Sequence, residues 1–214
     1  MTDSDRGDPG GGRARGDGFD HGDAPDHWDH DDLDERIERL EDPRQFRYLS
    51  AEELRSLLGP RPDWVVADLG SGTGFFTDEL ASVVGTLYAI DIRDEMHRVY
   101  RANGLPANVE TVTADVAAVP LPDDGLDAAV SVRTFHHGVS GALDEVARLL
   151  RPGGRLVVVD WSATGAGERE RGQDPDHYYD LASVQAALLE AGFRIRDAGE
   201  RRETFVVVAS LRSN

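Results

Sequence analysis

Trp64-Val65-Val66-Ala67-Asp68-Leu69-Gly70-Ser71-Gly72-Thr73-Gly74 is the stretch whose reading decides the fold. An apolar run of strand length reaches an acid and then three glycines at alternate positions. Phe75–Val84 continues with helical character, and Thr86–Asp91 is a second apolar run that ends in an acid. Strand, glycine-rich turn, helix and strand in that order form a βαβ unit, which brings a parallel sheet with it. Glycines between a strand and a helix let the backbone turn tightly and approach a ligand without a Cβ clash.

The spacing separates two kinds of ligand. A dinucleotide fold places glycines as G-x-G-x-x-G, so that a pyrophosphate can sit on the helix N-terminus. Counted from Gly70, the third glycine falls on Phe75; counted from Gly72, it falls on Thr77. The pattern present is D-x-G-x-G-x-G. An acid two residues before the first glycine would repel a pyrophosphate but suits a cationic ligand. Asp91, 21 residues beyond Gly70, is placed to accept from both hydroxyls of a ribose; as a lone acid it reads equally well as a helix N-cap or a solvated loop residue.

Working outward, strands and helices continue to alternate. Asp94–Asn103 reads as a helix, Val109–Asp115 and Leu126–Val132 as strands, and Ala142–Leu150 as a helix. Pro152-Gly153-Gly154 is a turn into a strand over Arg155–Trp161. Leu181–Ala191 is a helix that Gly192 stops. Phe193–Ala198 and Thr204–Leu211 are joined too closely for a crossover helix, so they predict an antiparallel hairpin at one edge. The fold class is α/β, a doubly wound, mostly parallel sheet flanked by helices. Before the motif, Leu33, Ile37 and Leu40 recur at helical spacing, and Ser50–Leu58 reads as a helix with Ser50 as N-cap and Glu53 at the capping-box position. Residues 1–30 are rich in Gly, Asp and Arg and poor in aliphatics, which predicts a disordered acidic tail. Its His21, His27 and His30 are read as part of that tail, not as a metal site. Residues 31–214 are expected to form the domain, with helices over 31–59 and the core over 60–212.

Here the sequence closely resembles the class I S-adenosylmethionine (SAM)-dependent methyltransferases, within them the small-molecule group that includes the ubiquinone/menaquinone-biosynthesis C-methyltransferases. The resemblance covers residues 60–212 and is firmest over Asp68–Gly74, Tyr88–Met96 and Leu149–Trp161. It implies a Rossmann-like, seven-stranded sheet in the order 3-2-1-4-5-7-6, its last strand antiparallel. It implies that Asp68, Gly70, Ser71, Gly72, Thr73 and Gly74 hold the methionine part of SAM. By the same resemblance Asp91 binds the ribose, Ile92 packs on adenine, and Asp115 beside Val116 takes the adenine amino group. Ser131 and Val132 would lie under the sulfonium, and Leu150–Leu156 would be a structural turn into strand five.

Strand four is followed by Arg133-Thr134-Phe135-His136-His137-Gly138. No Asn-Pro-Pro-Tyr type motif for gripping a planar amide or amine is present. Zero cysteine removes thiol nucleophiles and thiolate metal sites, and with them methyl transfers that run through a cysteine. His136 and His137 are the candidate bases near the methyl position, with helix capping or edge packing as the structural reading of either. Phe135, Trp161, His177, Tyr178 and Tyr179 are candidates for an acceptor pocket, and Asp174–Asp180 for a lid; ordinary aromatic packing is the competing reading for the tyrosines.

The chain carries 41 Asp+Glu against 23 basic residues, all of them Arg, for a formal net charge of −18. A GC-rich genome favours Arg. Adaptation to high salt accounts for the acids as well, because self-repulsion is screened within ~3 Å at 1 M ionic strength. So acidic a surface disfavours nucleic-acid substrates, which need a basic face. No secretory signal and no apolar run near the ~20 residues of a membrane span is visible. The expectation is a cytoplasmic methyltransferase, monomer or homodimer, that uses SAM, carries no metal and acts on a small acceptor, uncharged or cationic. A SAM-binding sensor without transfer activity is the alternative from another class, and an NAD-dependent oxidoreductase is a third reading weakened by Phe75.

Overall fold

The computed structural model describes residues 33–164 and 179–213. The acidic tail assigned to residues 1–30, together with His177 and Tyr178 and most of the lid assigned to 174–180, lies outside the described residues. Seven strands form one sheet: β1 (Val65–Leu69), β2 (Thr86–Asp91), β3 (Val109–Thr113), β4 (Leu126–Val132), β5 (Leu150–Trp161), β6 (Phe193–Glu200) and β7 (Thr204–Leu211). Their order is β3-β2-β1-β4-β5-β7-β6. β1 through β5 are parallel, and β7 runs antiparallel to both β5 and β6. The expected order and the terminal hairpin are both present.

Residue alternation along the strands builds two cores. On one face Ala67, Leu69, Leu156 and Val158 pack with Val146 and Leu149 of α5 (Leu143–Leu149) and Val184 and Leu188 of α6 (Leu181–Glu190). On the other, Val66, Leu87, Val130 and Val157 meet Leu54 and Leu58 of α2 (Ala51–Leu58), Leu80 of α3 (Phe75–Ala81) and Tyr100 of α4 (Asp94–Gly104). Every residue of β4 is buried, as expected for a central parallel strand.

The N-terminal helices behave differently from one another. α2 is capped as predicted, Ser50 Oγ accepting from the Glu53 amide at 3.2 Å. The reciprocal half of the capping box is replaced, because the Glu53 carboxylate pairs with Arg201. α1 (Leu33–Glu41) has no buried residue, and its Leu33 is exposed. It is tied down at its end, where Asn103 Nδ2 donates to Glu41 Oε1 at 2.6 Å and Gln45 Nε2 donates to the Arg39 carbonyl at 2.6 Å.

β5 starts earlier than the turn at Pro152-Gly153-Gly154 suggests. Leu150 pairs with Leu126, and pairing resumes at Arg155 with Ala128. The Pro-Gly-Gly segment is thus an irregularity within the strand, with Gly153 at φ +82°. β3 ends at Thr113, two residues before the predicted end, so Asp115 sits in the following loop. No helix among the described residues is long and apolar enough to cross a membrane.

Adjacent leucines on α6 test the packing. Leu188 is fully buried and Leu189 is 44% exposed. Since the helix propensity change is the same at both, Leu188→Ala is expected to cost about 2–5 kcal/mol of unfolding free energy and Leu189→Ala no more than about 0.5 kcal/mol. Denaturant melts giving equal losses would contradict this placement of the core.

Candidate functional site at the carboxyl edge of the sheet

The strand order reverses between β1 and β4, and ligands of open α/β sheets bind outside the carboxyl ends of the strands at such a point. There the chain leaves β1 through Gly70, Gly72 and Gly74, whose φ angles are +77°, +55° and +91°. Two of these positions are closed to any other residue by neighbours as well as by backbone. A Cβ on Gly70 would lie 2.4 Å from Thr134 Cγ2, and one on Gly74 would lie 2.3 Å from the Tyr100 ring. A Cβ on Gly72 would make only ordinary contact, 3.5 Å from Leu40 Cδ1 of α1.

The turn is stitched to β2. Gly70 and Ser71 donate their amides to the Ile90 carbonyl at 2.8 and 2.9 Å. Asp91 accepts from the Gly72 amide through Oδ2 and from the Arg93 amide through Oδ1, both at 2.9 Å. The next residue, Ile92, is 62% exposed, an apolar side chain presented to solvent directly beside that carboxylate. Ala114 donates to the Asp91 carbonyl at 3.0 Å, which brings the β3 loop alongside. In that loop Asp115 is exposed and accepts from the Ala117 amide, while Val116 is half-buried.

Asp68 is 3% exposed and accepts from Thr77 Oγ1 at 2.6 Å. Burial pushes its pKa up to about 6, opposed by the Thr77 bond and assisted by the nearby Asp91 charge. The hydroxyls of Ser71 and Thr73 are buried with no hydrogen-bond partner among the described residues. Orphaned buried hydroxyls are rare without a ligand or water to take them.

On the β4 side, Ser131 is fully buried, its Oγ 3.0 Å from Thr134 Oγ1, which donates to the Leu69 carbonyl at 2.6 Å. Thr134 therefore fastens the end of β4 to the glycine turn, a role the sequence did not signal.

His136 is held by the end of β5. Its Nδ1 lies 2.8 and 3.0 Å from the two carboxylate oxygens of Asp160, and its amide also donates to Asp160. Both side chains are almost wholly buried, at 3% and 0% exposure. His137 is exposed and its ring lies against that of His136, the centroids 3.6 Å apart. Asp160 also accepts from the Trp161 amide at 2.7 Å. It escaped the sequence reading, and the signal available was one acid interrupting the apolar run from Leu156 to Trp161. Tyr179 packs edge-on against Phe135 and its hydroxyl meets Ser140, which is ordinary packing. Among the described residues no group of three or more metal-ligating side chains forms.

A glycine-rich turn with two unsatisfied buried hydroxyls, an acid at the tip of β2 and an exposed isoleucine beside that acid fit an amino-acid-bearing nucleoside. Residues 67–158 match the family described as Methyltransferase domain. The chain resembles the class I SAM-dependent methyltransferases. A ubiquinone/menaquinone biosynthesis C-methyltransferase, UbiE of Ectopseudomonas mendocina (strain ymp), is 38% identical over 119 residues, covering 51% of this chain and 46% of that protein. The chain thus spans about half the length of the curated relatives it matches. A solved SAM-dependent methyltransferase from Aquifex aeolicus superposes with a TM-score of 0.73 at 29% identity, over 83% of this chain and 97% of that one. The [4+2]-cyclase SpnF shares the fold, with a TM-score of 0.67 at 17% identity over 77% and 81% of the two chains. SAM is the cofactor these comparisons support.

Asp68 yields a pH test. A cationic group placed beside it favours the carboxylate, so binding expels the proton that burial retains below about pH 6. Affinity for SAM is expected to be flat above about pH 6 and to weaken as pH falls below it, with proton release visible in calorimetry in buffers of different ionisation heat. Asp68→Asn should remove that dependence. An affinity unchanged from about pH 5 to about pH 7.5 would show that no cation sits at Asp68.

Proposed function

We propose that this chain is a SAM-dependent methyltransferase acting on a small-molecule acceptor, within a domain spanning residues 31–214. The glycine turn between Asp68 and Asp91 carries the reading, since its two orphaned hydroxyls, on Ser71 and Thr73, call for a polar ligand such as the cofactor the comparisons support. In this reading Gly70–Gly74 with Asp68 hold the amino-acid end, Asp91 the ribose, and Ile92, Asp115 and Val116 the adenine. Ser131 and Val132, ending β4, would lie under the sulfonium. SAM, when bound, supplies an already activated methyl group. The protein's own share is to align the acceptor, exclude water and, where the acceptor needs it, take a proton.

His136 is the candidate for that proton. With Nδ1–H donating to Asp160, the neutral ring carries its lone pair on Nε2, the tautomer a general base requires. The near-complete burial of the side chain equally supports a clamp between the end of β4 and the end of β5. His137, exposed and tilted at 50° against it, is the weaker candidate.

Radiolabelled SAM incubated with the protein and a cell metabolite extract should label an extractable small molecule. Asp91→Ala should weaken binding of the demethylated cofactor by roughly 10-fold or more, the loss of hydrogen bonds to a charged group. His136→Ala should keep cofactor affinity and lose about 10²-fold or more in turnover if His136 is the base. Tight cofactor binding with no label transferred would support the sensor reading over the enzyme.

The acidic surface supports a high-salt cytoplasm as its setting. Its melting temperature should rise as KCl goes from low to molar concentration, and a fall would overturn that assignment.

A further inference from the structure

Ser71 Oγ, Thr73 Oγ1 and Gln45 Oε1 are buried oxygens with no hydrogen-bond partner among the described residues. The first two belong to the glycine turn. Gln45 lies in the short 3-10 helix Pro43–Arg47 between α1 and α2, and it is 5% exposed. Asp42 caps that turn, accepting from the Arg44 amide at 2.8 Å, and Pro43 starts it with its φ already set. The Gln45 amide donates to the Asp42 carbonyl at 2.9 Å, and the Gln45 carbonyl accepts from the Tyr48 amide at 3.0 Å. Its backbone is thus fully paired.

The free end of the side chain is fixed as well. Gln45 Nε2 donates to the Arg39 carbonyl at 2.6 Å. Reversing the carboxamide would set two oxygens against each other there, so the network assigns Oε1 as the atom without a partner. An amide oxygen only accepts, and a buried one without a donor calls for a ligand or a water. The residues on either side rest on the glycine turn and the helix it starts. Leu40, directly after Arg39, would lie 3.5 Å from a Cβ on Gly72. Phe46, directly after Gln45, packs on Phe75 and Phe76 with ring centres 4.8 and 6.3 Å away. The stretch from Arg39 to Phe46 is therefore docked on Gly72–Phe76, the segment that carries the Thr73 hydroxyl.

We propose that Gln45 is a cofactor-binding residue whose Oε1 accepts a hydrogen bond from the α-ammonium of SAM. This rests on the methyltransferase reading. In that reading the cofactor's other donors, the ribose hydroxyls and the adenine amino group, go to Asp91 and Asp115 beyond the ends of β2 and β3. The ammonium belongs to the amino-acid end, which the turn holds. Its three N–H groups call for more acceptors than Asp68, already engaged with Thr77, supplies. The carboxylate beside it is acceptor-only, so it suits the Ser71 and Thr73 hydroxyls and not Gln45 Oε1.

The test uses the full chain in high salt near neutral pH. The probes are S-adenosylhomocysteine, its analogue that lacks the amino group but keeps the carboxylate, and methylthioadenosine, which lacks both. Gln45→Met removes the oxygen at similar side-chain length. In calorimetry it should weaken S-adenosylhomocysteine by about 10-fold or more and leave the other two ligands within about twofold of the parent. A second readout leaves the chain unaltered and so stands even where Gln45→Met fails to fold. With isotope-labelled glutamine, the Gln45 side-chain amide resonance should move on adding S-adenosylhomocysteine and stay in place with the deaminated analogue. An oxygen that takes a charged donor polarises the N–H groups of its own amide. Equal weakening of all three ligands by Gln45→Met shows a structural role, and no weakening shows a water at Oε1. Either outcome overturns the proposal, as does an amide resonance indifferent to the amino group. A parent chain that binds neither SAM nor S-adenosylhomocysteine overturns instead the methyltransferase reading.

Discussion

The absence of a Cβ at Gly70 and Gly74 is the constraint on which the rest of the molecule depends. The space that a side chain would need is already taken, by Thr134 from the end of β4 and by the ring of Tyr100 from α4. The turn is therefore a joint where four elements meet. β1 feeds it, Asp91 of β2 ties it by the Gly72 amide, Thr134 fastens it to β4, and Tyr100 backs it from α4. Tyr100 is in turn held by Asp78 of α3 at 2.6 Å, so the helix that follows the turn and the helix after β2 are locked together behind it. A methyl group at either glycine would push on protein interior, not on solvent, and interiors packed at crystal-like density do not yield cheaply.

The same joint explains why a buried acid is tolerated at the end of β1. Asp68 is out of water and held by one hydroxyl, a poor setting for a full negative charge, and its raised pKa expresses that. In the reading proposed above, a cationic group of the cofactor would relieve that setting by favouring the carboxylate.

In a chain without lysine, several arginines make tertiary links. Arg148 joins Glu145 and Asp123 and also donates to the Val119 and Leu121 carbonyls, tying α5 to the loop before β4. Arg155 donates to the last carbonyls of α2, and Arg201 reaches Glu53 at that helix's first turn. The planar, five-donor fork lets a single side chain satisfy several oxygens at once, which a Lys could not do as rigidly. Arg155 and Arg201 thereby link α2 to β5 and to the turn between β6 and β7.

The backbone plan is written locally along the chain. Glycine spacing, the acid ending β2, the Ser50 cap, the Gly192 stop and the short link between the last two strands are local features, each acting within a few residues. For that reason they were legible in the chain itself and led to the parallel α/β class and the terminal hairpin, whereas the sheet order came from the resemblance to a known family. They also placed Asp115 in a strand that ends at Thr113. Tertiary structure alone decided which side chains meet across the sheet edge. Asp160 takes His136 from 24 residues away, Thr134 reaches Leu69 across 65, and Tyr48 meets Trp161 with most of the core between them in sequence. No local pattern encodes those partners, because strand register and the docking of the N-terminal helices bring them together only once both cores have packed.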